Sequence, residues 1–151
     1  KGKGKLEGLK ISGVDNVLVR FASCCNPLPG EPIIGYITRG RGVTIHTTTC
    51  PNVKGFEPER LLNVSWDGKQ EDKPYPSRVR IKCANQKGVL AKVATMLADD
   101  DINIASGTFE SSVDGTSVLE FTVEVTSLDQ LYHALTRLKN LDAVSEAVRV
   151  S

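Results

Sequence analysis

VRIKC (79–83) places an apolar side chain at every second position; then Val89, Leu90, Val93, Met96 and Leu97 recur at the three-to-four-residue spacing of one helix face. A strand leading into a helix is the expectation. INIASGTF (102–109) and SVLEFTVEV (117–125) predict two more strands, the latter setting Leu119, Phe121, Val123 and Val125 against Glu120, Thr122 and Glu124. Asp114-Gly115 supplies hairpin turn chemistry between them. Ser127 and Gln130 predict a capping box for a helix carrying Leu128, Leu131, Leu135 and Leu138, and AVSEAVRV (143–150) closes the pattern as a strand.

The order βαββαβ is that of the ferredoxin-like split βαβ, a four-stranded antiparallel sheet with two helices on one face. The first half reads differently. VLVRFA (17–22), IIGYIT (33–38), VTIHT (43–47) and LLNVSW (61–66) predict short strands, with Asn26-Pro27, Pro29-Gly30 and a Gly-Arg turn between them. Thr48 or Thr49 is placed to cap a short helix with Cys50 in its first turn. The fold class is therefore α+β, a small mixed strand/turn domain with a short helix followed by a ferredoxin-like domain. KGKGKLEGLK (1–10) lacks apolar periodicity and reads as a flexible linker; GKQEDKPYP marks a second break. The expected organisation is a linker over 1–10, a first domain over 11–67, a linker over 68–75 and a second domain over 76–151.

Four cysteines in 151 residues make no dense disulfide framework, and no apolar run approaches the roughly 20 residues that span a bilayer. A reducing, cytoplasmic setting is the expectation. Residues 1–73 hold 11 basic and 8 acidic residues, residues 74–151 hold 8 and 10. The first half can touch a polyanion at a few points but lacks the charge density of a dedicated DNA-binding domain.

Chemistry concentrates in two places. Cys24 and Cys25, followed by His46 and Cys50 in an H-x3-C spacing, supply the thiolate and imidazole ligands of a tetrahedral zinc site. Adjacent side chains on an extended backbone point to opposite faces, so the cysteine pair can share one ion only across a turn, and Asn26-Pro27 offers one. Read singly, each is a small buried thiol or a hydrogen-bonded core histidine. The second place is Asn85-Gln86-Lys87-Gly88-Val89-Leu90, where backbone amides at a helix start can meet a carboxylate, with Asn103 as another polar group at the entry to the following strand. The plainer reading is a tight turn at Gly88 with both asparagines capping backbone. Cys83 lies on an apolar strand face and reads as packing.

In element order and in this turn the second half resembles an ACT domain, a regulatory module that binds amino acids at dimer interfaces. The resemblance implies that Asn85 and Asn103 hold the ligand, with Gln86, Gly88, Val89 and Leu90 around it; many members carry an acidic and a basic residue where this chain has Gln86 and Lys87. FASCCNPLPGEPIIGYITRGRGVTIHTTTCPN resembles the conserved-cysteine, or ribosome-intersubunit, domain of the RelA/SpoT family, which makes and hydrolyses (p)ppGpp. Followed by an ACT domain, it implies the carboxy-terminal regulatory region of such an enzyme, without the hydrolase, synthetase, TGS and helical domains. It implies as partners the ribosome, through ribosomal RNA and A-site tRNA, an amino acid of the branched-chain class (valine, isoleucine or leucine) and a second copy in a homodimer. Arg39 and Arg41, on a Gly-flanked turn, are then RNA-contacting candidates, with Arg20 and Lys54 behind them.

Catalysis in the chain itself is not expected. His46 and His133 form no His-Asp cluster, and GRGVT lacks the lysine of a phosphate loop. Cys25 activated by His46 would be a nucleophile without an orienting acid or oxyanion signature. The reading is a starvation-sensing regulatory segment. Its alternative is a dimeric amino-acid-responsive ACT regulator with a redox or metal-binding cysteine module and no RNA contact.

Overall fold

A computed structural model describes residues 9–11, 18–40, 42–67 and 73–150. They divide into two compact units, meeting in sequence between Lys73 and Pro74.

In the first unit, β1 (Leu9–Ile11), β2 (Val19–Phe21), β3 (Ile33–Thr38), β4 (Gly42–Thr47) and β5 (Leu61–Trp66) form one sheet in the order β1-β5-β3-β4-β2. All pairings are antiparallel except β2 with β4. Strand alternation sends Ile33, Val43, Ile45 and Val64 to a core completed by Leu9, Ile11, Val19, Phe21, Leu62 and Trp66. Tyr36 and His46 fall on the opposite face. The sequence reading of 1–10 as linker needs correction at its end: Leu9–Ile11 pairs with Val64–Trp66. Three residues carry too little alternation to register as a strand, and only the partner reveals them.

The predicted reversal after the cysteine pair is present. Asn26 adopts a left-handed φ of 45° and its N–H bonds to the Ala22 carbonyl at 2.9 Å, while the Glu31 carboxylate accepts from the Leu28 N–H at 2.8 Å. The predicted helix around Cys50 is smaller than expected. Residues 51–55 and 58–60 are two short 3₁₀ segments, and neither Thr48 nor Thr49 caps the first. Cys50 itself is the capping position, extended at φ −62° and ψ 129°, because Pro51 with its fixed φ and missing N–H suits the first helical position.

The second unit follows the predicted order: β6 (Tyr75–Ala84), α1 (Val89–Asp99), β7 (Asn103–Ser111), β8 (Thr116–Val125), α2 (Leu128–Lys139) and β9 (Val144–Val150). The antiparallel sheet runs β7-β8-β6-β9. Val79, Ile81, Leu119 and Val123 from the sheet meet Val93, Leu97, Leu131 and Leu138 from the helices, all nearly inaccessible to solvent. Tyr75 is 5% exposed and already in strand, so β6 begins one residue before the sequence-based boundary of the second domain at 76.

The capping box is offset by one residue. The Ser127 hydroxyl accepts from the Gln130 N–H at 3.1 Å, but the Gln130 carboxamide oxygen returns to the Thr126 N–H at 2.7 Å. Its Nε2 donates to the Asp100 carbonyl at 2.9 Å, and Arg137 pairs with the Asp100 carboxylate, so α2 is tied to the end of α1. No helix among the described residues is long and apolar enough to cross a membrane.

Candidate metal centre and ligand-binding turn

Parallel pairing of β2 with β4 sets Phe21 opposite Ile45, so the turn after β2 meets the end of β4. Cys24 Sγ lies 3.5 Å from His46 Nδ1 and 3.5 Å from Cys50 Sγ, and Cys25 Sγ lies 3.8 Å from the same nitrogen. The four ligand atoms are all within 4.8 Å of one another. A tetrahedron with Zn–S of about 2.3 Å and Zn–N of about 2.0 Å has S–S edges near 3.8 Å and S–N edges near 3.5 Å. Three of the separations match those edges, and the longest, up to 4.8 Å, would close by about 1 Å around an ion of that size; four protein ligands would then leave no open coordination position.

The surroundings favour ligation. His46 is 7% exposed, and burial lowers its pKa, keeping the imidazole neutral at pH 7 with a lone pair available. The ring of Phe56 stands edge-on to it, centroids 4.9 Å apart at 71°. Phe56 stacks in turn on Tyr36 at 3.9 Å, and the Arg60 guanidinium lies 4.7 Å from the Tyr36 centroid. Burial raises the Cys24 thiol, but hydrogen bonds with Asn52, Cys50 and Cys25 outweigh it and hold the thiol below its ordinary value. Cys25 is the opposite case: burial pushes it up to about 12, and the Thr47 N–H donating to its sulfur at 3.3 Å offsets only part of that. Asn52, Phe56 and Thr47 support the cluster, and the sequence reading missed them. Asn52, two residues past Cys50, is the one that spacing could have suggested.

Among the described residues, Arg20, Arg39 and Lys54 do not form one patch. Arg39 is exposed at the β3–β4 turn, Arg20 sits on β2 opposite Thr44, and Lys54 is exposed in the 3₁₀ turn beyond the other end of β4. Six residues of β4 separate the Arg39 and Lys54 ends by roughly 17 Å. Arg41 lies outside the described residues.

In the second unit Gly88 holds φ 83° and ψ −2° immediately before α1, the left-handed turn that glycine adopts without strain. Val89 is buried and Leu90 is 41% exposed. Asn85 donates its backbone N–H to Gly115 at the β8 end of the hairpin, whereas the Asn103 carboxamide donates to Glu124 at 2.9 Å. Along β6, Ala84 pairs with Thr116 and Pro76 with Glu124, so the two asparagines mark opposite ends of the sheet, roughly 26 Å apart. One chain does not bring them together. Cys83, 1% exposed with its pKa raised by burial, packs as a neutral thiol.

The RelA/SpoT RIS domain family matches residues 9–67, and the ACT domain family matches residues 71–149. A GTP pyrophosphokinase of Myxococcus xanthus is 38% identical over 149 residues, covering 99% of this chain and 20% of the relative. The bifunctional (p)ppGpp synthase/hydrolase RelA of Mycobacterium tuberculosis is 32% identical over 151 residues, covering 95% and 20%. The chain thus spans about a fifth of the length of these relatives. The crystal structure of the ACT domain from GTP pyrophosphokinase of Chlorobium tepidum aligns with 51% of this chain and 99% of its own, at TM-score 0.46 and 18% identity. With an RIS domain joined to an ACT domain, the chain belongs to the RelA/SpoT family.

Proposed function

We propose that this chain is the regulatory carboxy-terminal region of a (p)ppGpp synthetase/hydrolase, reporting amino-acid starvation to catalytic domains elsewhere in the protein. The observation that carries the reading is the tandem RIS–ACT match together with whole-chain similarity to GTP pyrophosphokinases. Regulation would be differential: a partner that binds one arrangement of this region more tightly than another shifts the enzyme between synthesis and hydrolysis by that difference. Such an enzyme works in the cytoplasm.

In the RIS domain, Cys24, Cys25, His46 and Cys50 would hold zinc. The ion supplies no reactive position with four protein ligands; it clamps the β2 turn, the end of β4 and the residue 50–55 segment. The exposed Arg39 turn then projects from a rigid base, and we assign ribosomal RNA contact to it, with Arg20, Arg41 and Lys54 contributing separately. Phosphate contacts by single cations position a protein on RNA and weaken with salt.

In the ACT domain we assign branched-chain amino-acid binding to Asn85, Gln86, Gly88, Val89 and Leu90 of one chain with Asn103 of another. β7 is an open sheet edge exposed along most of its length, including Phe109 at 47%. It runs parallel to β6, so two-fold antiparallel pairing of β7 with its counterpart would carry Asn103 of each copy toward the Asn85 turn of the other.

The test is (p)ppGpp synthesis by the full-length enzyme with and without ribosomes carrying uncharged tRNA. Stimulation lost on Arg39→Ala and on Cys24→Ser, with ribosome-free activity unchanged, supports the reading. Stimulation that survives deletion of this whole region refutes it and favours the alternative regulator without RNA contact.

A further inference from the structure

The thiols of Cys24, Cys25 and Cys50 meet in the first unit, and they are not equivalent. Cys25 and Cys50 are buried and pack with Ala22 in one small core, whereas Cys24 is partly accessible at its rim. Cys24 Sγ and Cys50 Sγ stand 3.5 Å apart across 26 residues of chain. A disulfide brings its sulfurs to about 2.05 Å, so the pair lies roughly 1.5 Å short of one. Neither residue is held in a strand: Cys24 belongs to the turn after β2, and Cys50 stands just before Pro51. The other pairings suit the geometry less. Joining Cys24 to Cys25 would close a strained small ring through their shared planar peptide, and Cys25 is held against β4 by the Thr47 N–H at 3.3 Å. Cys83 is buried in the second unit. An accessible thiol beside a buried one that can resolve its sulfenic acid is the arrangement that reversible oxidation requires.

We propose that Cys24 and Cys50 form a reversible disulfide in response to peroxides, and that this bond and a bound metal ion exclude each other. The Cys24 thiolate attacks the peroxide: an S–O bond forms, the O–O bond breaks, and sulfur gives up two electrons. The departing hydroxide or alkoxide takes a proton and leaves as water or alcohol. The Cys50 thiolate then attacks the Cys24 sulfenic acid; the S–S bond forms, the S–O bond breaks, and hydroxide takes a proton to leave as water. A small thiol such as glutathione reverses the bond by exchange, two of them supplying two electrons and ending as their own disulfide. In a reducing compartment the bond is therefore transient, formed under oxidant and lost once it has passed. The exclusivity rests on reading the cluster as a metal centre; the bond itself does not. Oxidation removes two of the four ligands and leaves Cys25 and His46. The new bond still ties the β2 turn to the residue 50–55 segment, but His46 loses its hold through metal. The ring stack that begins there, His46–Phe56–Tyr36–Arg60, ends where Arg60 Nε donates to the Ile37 carbonyl at 2.9 Å, two residues before Arg39. Release of His46 thus acts at the base of the exposed Arg39 turn.

The experiment treats the zinc-loaded chain with hydrogen peroxide, follows metal release with a chelating dye, and maps cross-links by mass spectrometry of unreduced peptides. A peptide pair joining Cys24 to Cys50 is expected, with one zinc ion released for each bond formed and with both thiols and zinc binding recovered after dithiothreitol. The amide resonances of Phe56, Tyr36 and Ile37 should shift on oxidation, and Cys83 should stay unmodified. Cys50→Ser should stop at a Cys24 sulfenic acid that dimedone traps, and Cys25→Ser should still form the bond. Since these variants weaken the metal site and with it the fold, the same map is made on the native chain stripped of zinc by a chelator. There the Cys24–Cys50 pair should again dominate, in contrast to the mixture of pairings formed in urea. A bond through Cys25 in place of Cys50, or thiols that survive peroxide sufficient to oxidise glutathione completely, would overturn the inference; zinc uptake in the same samples would leave the metal-centre reading standing. A Cys24–Cys50 bond in a chain that never takes up zinc would uphold the bond and refute that reading, and the exclusivity with it.

Discussion

Zinc affinity of the cysteine cluster should depend steeply on pH, and Cys25 sets a lower bound on how steeply. Burial holds its thiol at about 12, so roughly one molecule in 10⁵ carries the thiolate at pH 7 without metal. Creating that thiolate at pH 7 costs about 7 kcal/mol, which metal binding offsets by releasing the proton. For as long as pH stays below the thiol value, each unit of pH changes apparent affinity about tenfold through this residue alone. From pH 8 to pH 6 the loss is therefore at least about 100-fold. His46, lowered by burial, contributes little to the slope until the pH falls below its ordinary range. Without metal the sign reverses: the raised Cys25 value stabilises the fold below about pH 9, and that contribution is lost as pH climbs toward about 12. The assay is competition with a zinc-binding dye at pH 6, 7 and 8, paired with calorimetry in two buffers of different ionisation enthalpy to count released protons. Cys25→Ser should flatten the slope by one proton. An affinity independent of pH in the native chain, or an unchanged slope in the variant, would refute the reasoning.

Other expected outcomes concern the second unit. Leu131→Ala removes a fully buried α2 side chain and should cost about 2–5 kcal/mol in urea unfolding. Gly88→Ala meets no atom within 4 Å, so its cost is backbone strain alone, ~1–2 kcal/mol, and Gly88→Asn should recover part of it. Phe109→Glu, on the open edge of β7, should change monomer stability little while shifting sedimentation toward the monomer; an unchanged oligomer would place the dimer elsewhere.

The second unit was legible because its helices and inner strands have one wet face and one dry face, which writes a period into the sequence. Ser127, Gln130 and Asp114-Gly115 then marked the ends. The first unit has shorter strands and gave only part of itself away. Its cysteine and histidine spacing pointed to a cluster, and the Asn26 reversal to how the cluster closes. Leu9–Ile11 was not legible, because a three-residue edge strand is stabilised by Val64–Trp66 some fifty residues away. The contact of Phe56 with His46 was equally hidden: it depends on two 3₁₀ turns folding back over the sheet. Placing Asn85 and Asn103 at opposite ends of one chain needed the strand registers, which periodicity does not specify.

The strand order β7-β8-β6-β9 has a consequence for synthesis of the chain. β6 is made first in its domain and ends up central, with its two neighbours among the last three strands to emerge. Until Val144–Val150 leaves the ribosome, one edge of a ten-residue strand containing Val79, Ile81 and Cys83 has no partner. Pairings this distant in sequence form slowly and expose the nascent domain to mispairing while they wait. A chain cut before Val144 should therefore be prone to aggregation rather than simply shorter.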